Sequence, residues 1–131
     1  MILSRRAHDD ILAHGREAVP AECCGLLLGS AELVAEAART RNLSTDPNRF
    51  EIDPGDHIRM RRSARARSLD VVGFYHSHPR SEAAPSASDR AEAAYPGYVY
   101  AIVSLRAEPA ELRMYRLENG EFQELPWILE C

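Results

Sequence analysis

Hydrophobic and polar residues follow one another along this chain in patterns that predict a series of strands. The apolar run "CGLLLG" at residues 24–29 is typical of a short buried strand, and "ELVAEAA" at 32–38 places hydrophobic residues at alternating positions. The stretch "LDVVGFYHSH" at 69–78 is the clearest central strand, because it is rich in Val, Phe and Tyr. Further predicted strands are "RFEI" at 49–52, "YVYAIVSL" at 98–105 and a hairpin over 111–125, in which Asn119-Gly120 is the preferred two-residue turn.

Capping residues predict three helices between these strands. Ser4 precedes a helix over about 5–18 whose inner side carries Ile11 and Leu12. Asp53 and Pro54 begin a second helix that runs to about residue 68. A third runs from Ser86 to about Tyr95, before Pro96-Gly97. The order α-β-β-β-α-β-α-β-β-β predicts an α/β fold with a mixed sheet flanked by helices. Because the sequence shows no internal repeat and no linker, we expect a single domain over 1–131.

Composition narrows the classes of function. The net charge of −4 argues against a nucleic-acid-binding role, and no residue among the 16 basic ones is a lysine, which excludes Schiff-base and P-loop chemistry. We find no apolar run of signal-peptide or membrane-spanning length, so we expect a cytoplasmic protein without a membrane partner. Three cysteines, Cys23, Cys24 and Cys131, do not form a disulfide framework.

Two histidines near the end of the central strand point to a metal site. His76 and His78 are two residues apart, so in a strand both imidazoles lie on one face. Asp89 follows in the first turn of the next predicted helix. Two histidines and one carboxylate would supply three zinc ligands and leave a fourth position for water, as in catalytic zinc sites. The alternative is a chance His-x-His pair followed by an ordinary cap from Ser86 to Asp89.

A hydrolytic metal site also needs a proton acceptor. The chain has no H-E-x-x-H helix, which excludes a thermolysin-like arrangement. Glu22 is the best candidate, because it lies at the entrance to the predicted buried strand and would be partly desolvated there. The alternative is an exposed carboxylate in a loop.

The compound pattern resembles the JAMM/MPN-type zinc metallopeptidases, in their small standalone prokaryotic form. It consists of "ECCGLLLG" from Glu22, "HSHP" from His76, ten residues between His78 and Asp89, and the helix start "PSASD" around Ser86. The resemblance implies a cytidine-deaminase-like α/β fold and one zinc ion bound by His76, His78 and Asp89. It further implies that Glu22 is the general acid/base and that Ser86 hydrogen-bonds the oxyanion.

The resemblance also implies a substrate. Small members of this family process the C-terminal tails of ubiquitin-like β-grasp proteins, including sulfur carriers, by cleaving a peptide or isopeptide bond. The chain has little room for the insertions with which larger members grip ubiquitin. We expect an extended Gly-Gly tail to bind by adding a strand to an exposed sheet edge. A homodimer is possible, because the terminal "PWILEC" could pack on the sheet or on a second subunit.

Other interpretations stay open at the level of sequence. Cys23 or Cys24 could serve a cysteine-dependent hydrolase, although adjacent buried cysteines are more often core residues. Either could instead close the fourth position of a non-catalytic, zinc-stapled interaction module. The run "RMRRSARAR" at 59–67 is either a docking surface for an acidic partner or nucleic acid, or a solvated helix face. The remaining histidines, His8, His14 and His57, are expected at the surface.

Overall fold

The computed structural model describes residues 1–130, in which strands and helices alternate. The elements are β1 (Ile2–Ser4), α1 (Arg5–Ala18), β2 (Cys24–Ser30), β3 (Leu33–Thr40), α2 (Pro54–Ala66), β4 (Asp70–His78), α3 (Ala87–Glu92), β5 (Val99–Ser104), β6 (Glu111–Glu118), β7 (Glu121–Leu125) and β8 (Ile128–Glu130). All of these strands join one sheet in the order β7-β6-β5-β4-β2-β3-β1-β8. β4 pairs antiparallel with β2 and parallel with β5, so the sheet is mixed.

The two long helices cover opposite faces of this sheet. Ile11 of α1 packs with Leu27 and Tyr75 in one core cluster, whereas Ala64 of α2 packs with Phe74 and other residues in a second. Side chains alternate along β4, so His76 lies on the same face as Phe74, which is the face that α2 covers. Within residues 1–130 no helix combines the length and apolar character needed to cross a bilayer.

Most predicted elements are confirmed, because each has a strong local signal. Ser4 is the N-cap of α1, and its hydroxyl accepts a hydrogen bond from the amide of Ala7 at 3.1 Å. Asp53 caps α2 with Pro54 in the first turn. The hairpin turn has φ of 52° at Asn119 and 77° at Gly120, as its type requires.

The prediction of a strand at 49–52 is wrong. This part of the chain forms only an isolated bridge between Asn42 and Ile52. The side-chain oxygen of Asn42 accepts hydrogen bonds from the amides of Ser44 and Glu51, both at 2.9 Å. Such side-chain bonds compete with strand pairing for the backbone, so residues 41–52 form an ordered loop.

The third helix is shorter than the sequence predicts. α3 ends at Glu92, and Ala93 has extended backbone angles. Pro96 disfavours a helical conformation for Tyr95, whose amide donates instead to the hydroxyl of Tyr100 at 3.3 Å.

Two strands were not predicted, because β1 and β8 have three residues each and are too short for a visible alternation. β8 pairs parallel with β1, and Trp127 packs against the core with its Nε1 donating to the carbonyl of Leu112 at 3.2 Å. The terminal segment through Glu130 therefore packs on its own sheet. Cys131 lies outside the described residues.

The expected surface position is wrong for His8, His14 and His57, which are all partly buried. His14 Nδ1 lies 2.7 Å from the hydroxyl of Tyr75, and burial together with Arg39 lowers the pKa of His14 to about 4. His57 meets the ring of Phe74 edge-on at 5.6 Å, and burial lowers its pKa. Both rings are therefore neutral at pH 7.

Gly73 allows β4 and β5 to approach each other, and this predicts a strong effect of substitution. A Cβ at Gly73 would lie 1.9 Å from the carbonyl oxygen of Val99, a backbone atom that cannot move without separating the strands. We expect Gly73→Ala to lower the free energy of unfolding by about 3 kcal/mol, measured by chemical denaturation.

Gly15→Ala is the matched control. A Cβ at Gly15 would make ordinary contacts of 3.4 Å with Leu105 and Ser77, and alanine is favoured over glycine in a helix by about 1 kcal/mol. This variant should be as stable as the parent or more so. Equal stability of the two alanine variants would contradict the close approach of β4 and β5.

Candidate metal centre

The end of β4 carries two buried histidines whose side chains meet. His76 and His78 are each 3% exposed, and their Nε2 atoms are 3.2 Å apart. His76 is paired with Cys24 of β2 and Ile102 of β5, and His78 with Ser104 of β5. Because neighbouring strands hold the backbone, the alternation of the strand directs both imidazoles to one point.

Asp89 reaches the same point from the first turn of α3. Its Oδ2 lies 3.0 Å from His76 Nε2 and 3.2 Å from His78 Nε2. Burial alone would raise the pKa of Asp89, but the bonds to His76 and His78 outweigh it and hold the pKa well below its usual range. Asp89 is therefore an ionised carboxylate.

Ser86 and Asp89 hold each other in place through a reciprocal cap. The amide of Ser86 donates to Asp89 Oδ2 at 2.9 Å, and the amide of Asp89 donates to Ser86 Oγ at 3.0 Å. The Ser86 hydroxyl acts as acceptor in this pair, so its own hydrogen is free to be donated. Ser86 and Asp89 therefore form the N-terminal cap of α3, and Asp89 also belongs to the cluster with the two histidines.

The surroundings of the two imidazoles orient their rings. His78 Nδ1 lies 2.8 Å from the carbonyl oxygen of Glu82, which only accepts, so Nδ1 carries the hydrogen. In the neutral ring this leaves the lone pair on Nε2, which faces the cluster. Phe50 stacks on the ring of His76 at 4.3 Å between centroids, with 24° between the planes.

Glu22 is a buried carboxyl group beside the histidines. It is 6% exposed, and its Oε1 has no hydrogen-bond partner among residues 1–130. Glu22, His76 and His78 each offer a ligand atom within 4.8 Å of the others. Burial raises the pKa of Glu22 to about 7, against the opposing effect of His78. The alternative of an exposed loop carboxylate is therefore wrong.

The donor atoms of this cluster fit a metal ion. When the ring of His78 is neutral, its Nε2 and Asp89 Oδ2 both present lone pairs, 3.2 Å apart, and a cation stabilises this arrangement. The donor separations of 3.0–3.2 Å are close to the roughly 3.3 Å between neighbouring ligands of a tetrahedral zinc with bonds of about 2.0–2.1 Å. Imidazole and carboxylate donors suit transition metals. The orphaned Oε1 of Glu22 also needs a polar partner, such as a water molecule.

A cleft of about 670 Å³ opens over the cluster. Its lining includes His76 and Asp89, the loop residues 43–46 and 49–52, and the aromatic side chains of Phe74, Tyr95, Tyr100 and Phe122. Arg49 of the loop is paired with Glu92 of α3, and Arg80 donates to Asn48 Oδ1 at 2.8 Å. The loop is thus fastened on two sides of the site. No periodic pattern marks it in the sequence, and Phe50 was not predicted for that reason.

The two outer strands of the sheet are separated from β4 by other strands. β7 is three strands away from β4, and β8 is four strands away. Phe122 of β7 nevertheless lines the same cleft as His76 and Asp89. The expected binding of a tail by strand addition at a sheet edge therefore stays a prediction.

The two adjacent cysteines are core residues. Both are buried, and burial raises the pKa of Cys23 to about 12 and that of Cys24 to about 11. Cys24 Sγ lies 3.4 Å from Thr40 Oγ1. Neither thiol is in the ionised form that a nucleophile or a metal ligand requires.

Comparisons with known proteins agree with this fold. Residues 4–118 match the family described as prokaryotic homologs of the JAB domain. A desampylase of Haloferax volcanii is 38% identical over 135 aligned positions, which cover 98% of this chain and 95% of that protein. A CysO-cysteine peptidase of Mycobacterium tuberculosis is 32% identical over 119 positions, covering 88% of this chain and 82% of the other.

Solved structures superpose over nearly the whole chain. The solution structure of a Desulfitobacterium hafniense protein has a TM-score of 0.91 at 30% identity and covers 99% of this chain and 93% of that one. The crystal structure of a JAB1/MPN domain protein from Archaeoglobus fulgidus has a TM-score of 0.69 at 22% identity, with 98% of each chain covered, and shows the shared fold. The predicted JAMM/MPN resemblance and fold are confirmed, and the chain belongs to the family of prokaryotic JAB-domain homologs.

Proposed function

We propose that this protein is a zinc-dependent peptidase that cleaves a peptide or isopeptide bond at the C-terminal tail of a ubiquitin-like β-grasp protein, such as a sulfur carrier. The observation that carries the proposal is Glu22, a buried carboxyl with an unpartnered oxygen beside two convergent histidines. The similarity to a desampylase and to a CysO-cysteine peptidase supports a hydrolase of this substrate class.

His76, His78 and Asp89 would hold one zinc ion through Nε2, Nε2 and Oδ2. When bound, zinc supplies positive charge that polarises the scissile carbonyl and makes water more acidic. The chain contributes rigid positions for these donors. β4 fixes the two histidines, and the reciprocal cap with Ser86 fixes Asp89.

Glu22 is the proposed general base and acid. Its raised pKa of about 7 allows it both to accept a proton from the attacking water and to release that proton to the departing amine. Its backbone is held by Asn42, whose Nδ2 donates to the carbonyl of Glu22 at 3.0 Å. The carboxylate is thus positioned before the substrate arrives.

Ser86 is proposed to stabilise the negative charge that develops on the substrate carbonyl oxygen. Its Oγ is held by the amide of Asp89, which leaves the hydroxyl hydrogen available to the substrate. A donor placed in advance stabilises the transition state without reorganisation.

The substrate tail would lie in the 670 Å³ cleft in an extended conformation. Glycine at the cleavage point suits this site, because it has no side chain to keep the backbone away from the cluster. The loop residues 43–46 and 49–52 and residues of α3 would lie along the tail.

The two alternatives that use cysteine lose support. A zinc-stapled module would need a thiol as the fourth ligand, but the residue next to the histidines is Glu22. A cysteine hydrolase would need an accessible thiol of low pKa, and both thiols have raised pKa values.

Removal of one proposed ligand should remove the metal. We expect the parent protein to bind about one zinc per chain and His78→Ala to lose most of it. Elemental analysis after dialysis measures this, and circular dichroism checks the fold. His8→Ala in α1, which covers the opposite face of the sheet, is the matched control and should keep its zinc. Unchanged zinc content in His78→Ala would contradict the ligand assignment.

Glu22→Gln should separate catalysis from metal binding. Glutamine keeps the size of the side chain but cannot accept the proton of water, so we expect turnover to fall about 10²–10⁴-fold with zinc retained. Single-turnover cleavage of a Gly-Gly-tailed β-grasp protein measures the effect. Glu130→Gln on β8 controls for loss of an acidic residue. A folded, zinc-loaded Glu22→Gln protein that cleaves at the parent rate would refute the role of Glu22 as the base.

The double variant Cys23→Ala/Cys24→Ala should keep its turnover per folded molecule. Both thiols pack in the protein interior, so we expect a lower melting temperature but unchanged cleavage. In the parent, both should react slowly with iodoacetamide until the protein is unfolded. Loss of activity in a folded, zinc-replete double variant would revive the thiol mechanism.

A further inference from the structure

A second, smaller concavity adjoins the cleft on the outer side of α2. It measures about 390 Å³ and is lined by His57, Ile58, Arg61, Arg62, Arg65 and Tyr95. These six residues form the α2 surface. None of them is a proposed zinc ligand or proton carrier, so the surface lies outside the catalytic cluster.

The α2 surface is strongly positive in a protein that is negative overall. Residues 54–67 contain five arginines and one acidic residue, although the whole chain has a net charge of −4. Arg59 is paired with Asp56, and Arg67 with Glu36. The side chains of Arg62 and Arg65 are exposed and form no hydrogen bond or ion pair with any residue in 1–130. Two guanidinium groups are therefore available to an acidic partner.

Apolar side chains lie among these arginines. Ile58 is 53% exposed and Tyr95 is 38% exposed, which is unusual for large hydrophobic residues of this chain. Arg61 donates to the hydroxyl of Tyr98 at 3.2 Å and lies 5.9 Å from the centre of its ring, so Tyr98 holds the guanidinium group of Arg61 in place. Exposed tyrosine, isoleucine and arginine side chains side by side are typical of protein interfaces.

The α2 surface is continuous with the cleft. His57 and Tyr95 line both concavities. The rings of these two residues are 6.1 Å apart between centroids, so an extended tail with its reacting end at His76 and Asp89 would leave the cleft over them and reach the α2 surface. The folded domain that carries the tail would then rest against α2.

We propose that the α2 surface binds the folded body of the substrate through an acidic face, while the tail of the same substrate occupies the cleft. This inference rests on the proposed function and adds the recognition surface and the charge of the partner. Arg62 and Arg65 attract the acidic face, and Ile58 with Tyr95 supplies the apolar contact. The apolar centre favours a folded protein over nucleic acid, whose phosphates would need more cationic contacts.

The test compares two substrates with the same tail. One is an acidic β-grasp sulfur carrier that ends in Gly-Gly followed by a short extension, and the other is the peptide of its last residues with that extension. We expect Arg62→Glu/Arg65→Glu to lower the ratio of kcat/KM for the protein to kcat/KM for the peptide by about tenfold or more, mainly through KM. High salt should lower the ratio for the parent, whose attraction is screened, and raise it for the variant, whose repulsion is screened.

Two matched controls accompany this variant. Arg5→Glu/Arg6→Glu makes the same charge change on exposed residues of α1, across the sheet, and should keep the parent ratio. Ile58→Ser should lower the ratio independently of salt, whereas Ile128→Ser, at an even more exposed isoleucine on the far edge strand, should not. Arg62→Gln/Arg65→Gln repeats the test with a milder change if the double glutamate variant does not fold.

The outcomes separate this inference from the proposed function. Cleavage of the peptide with an unchanged ratio in Arg62→Glu/Arg65→Glu would overturn the docking surface alone. Cleavage of neither substrate by the parent would overturn the proposed function, and calorimetric titration of the intact carrier protein into parent and variant would then decide the docking surface. Binding of a mixed-sequence DNA duplex that the variant loses, with the protein ratio unchanged, would reassign the surface to nucleic acid.

Discussion

The pairing of β4 with β2 on one side and β5 on the other is the constraint on which the site depends. It fixes the backbone at His76 and His78, so that the alternation of a strand alone makes the two rings converge. It also places Glu22 beside them, because the antiparallel partner β2 begins two residues after Glu22, at Cys24, which is paired with His76. The third donor, Asp89, is less firmly anchored and depends on its cap with Ser86. Rigid central strands therefore carry the nitrogen donors, and a short helix carries the oxygen donor.

The buried polar groups of the cluster are less completely hydrogen-bonded than those in the rest of the interior. Elsewhere buried polar groups have partners, as when the amide of Cys23 donates to the Ser77 hydroxyl at 2.8 Å. At the cluster, a carboxylate and two imidazoles crowd one another, and Glu22 lacks a partner within residues 1–130 for one oxygen. Such local conflicts are expected where chemistry rather than stability has selected the residues.

Features with a local signal were predictable from the sequence. The His-x-His spacing on a strand, the cap of Ser86 and the burial of Glu22 at a strand entrance all follow from neighbours in the chain. Features that depend on long-range contacts were not predictable. The strands β1 and β8 are too short to show a pattern until they meet each other. Phe50 reaches His76 because Asn42 folds a loop across the site, and neither contact has a periodic signal. Tyr95 likewise contacts His57 of α2 only because the fold brings these distant parts of the chain together.

The burial of Glu22 also couples the stability of the folded protein to metal binding. A carboxyl group with a folded pKa of about 7, against an ordinary value of 4.5, favours the folded state in its protonated form. In the metal-free protein, Glu22 therefore contributes to the free energy of unfolding at pH values below its ordinary pKa of 4.5. This contribution is lost as the pH rises through 7. A cation held by the neighbouring donors would offset the loss and would stabilise the native state by mass action. Removal of the cation at neutral pH would then lower the free energy of unfolding of the native protein.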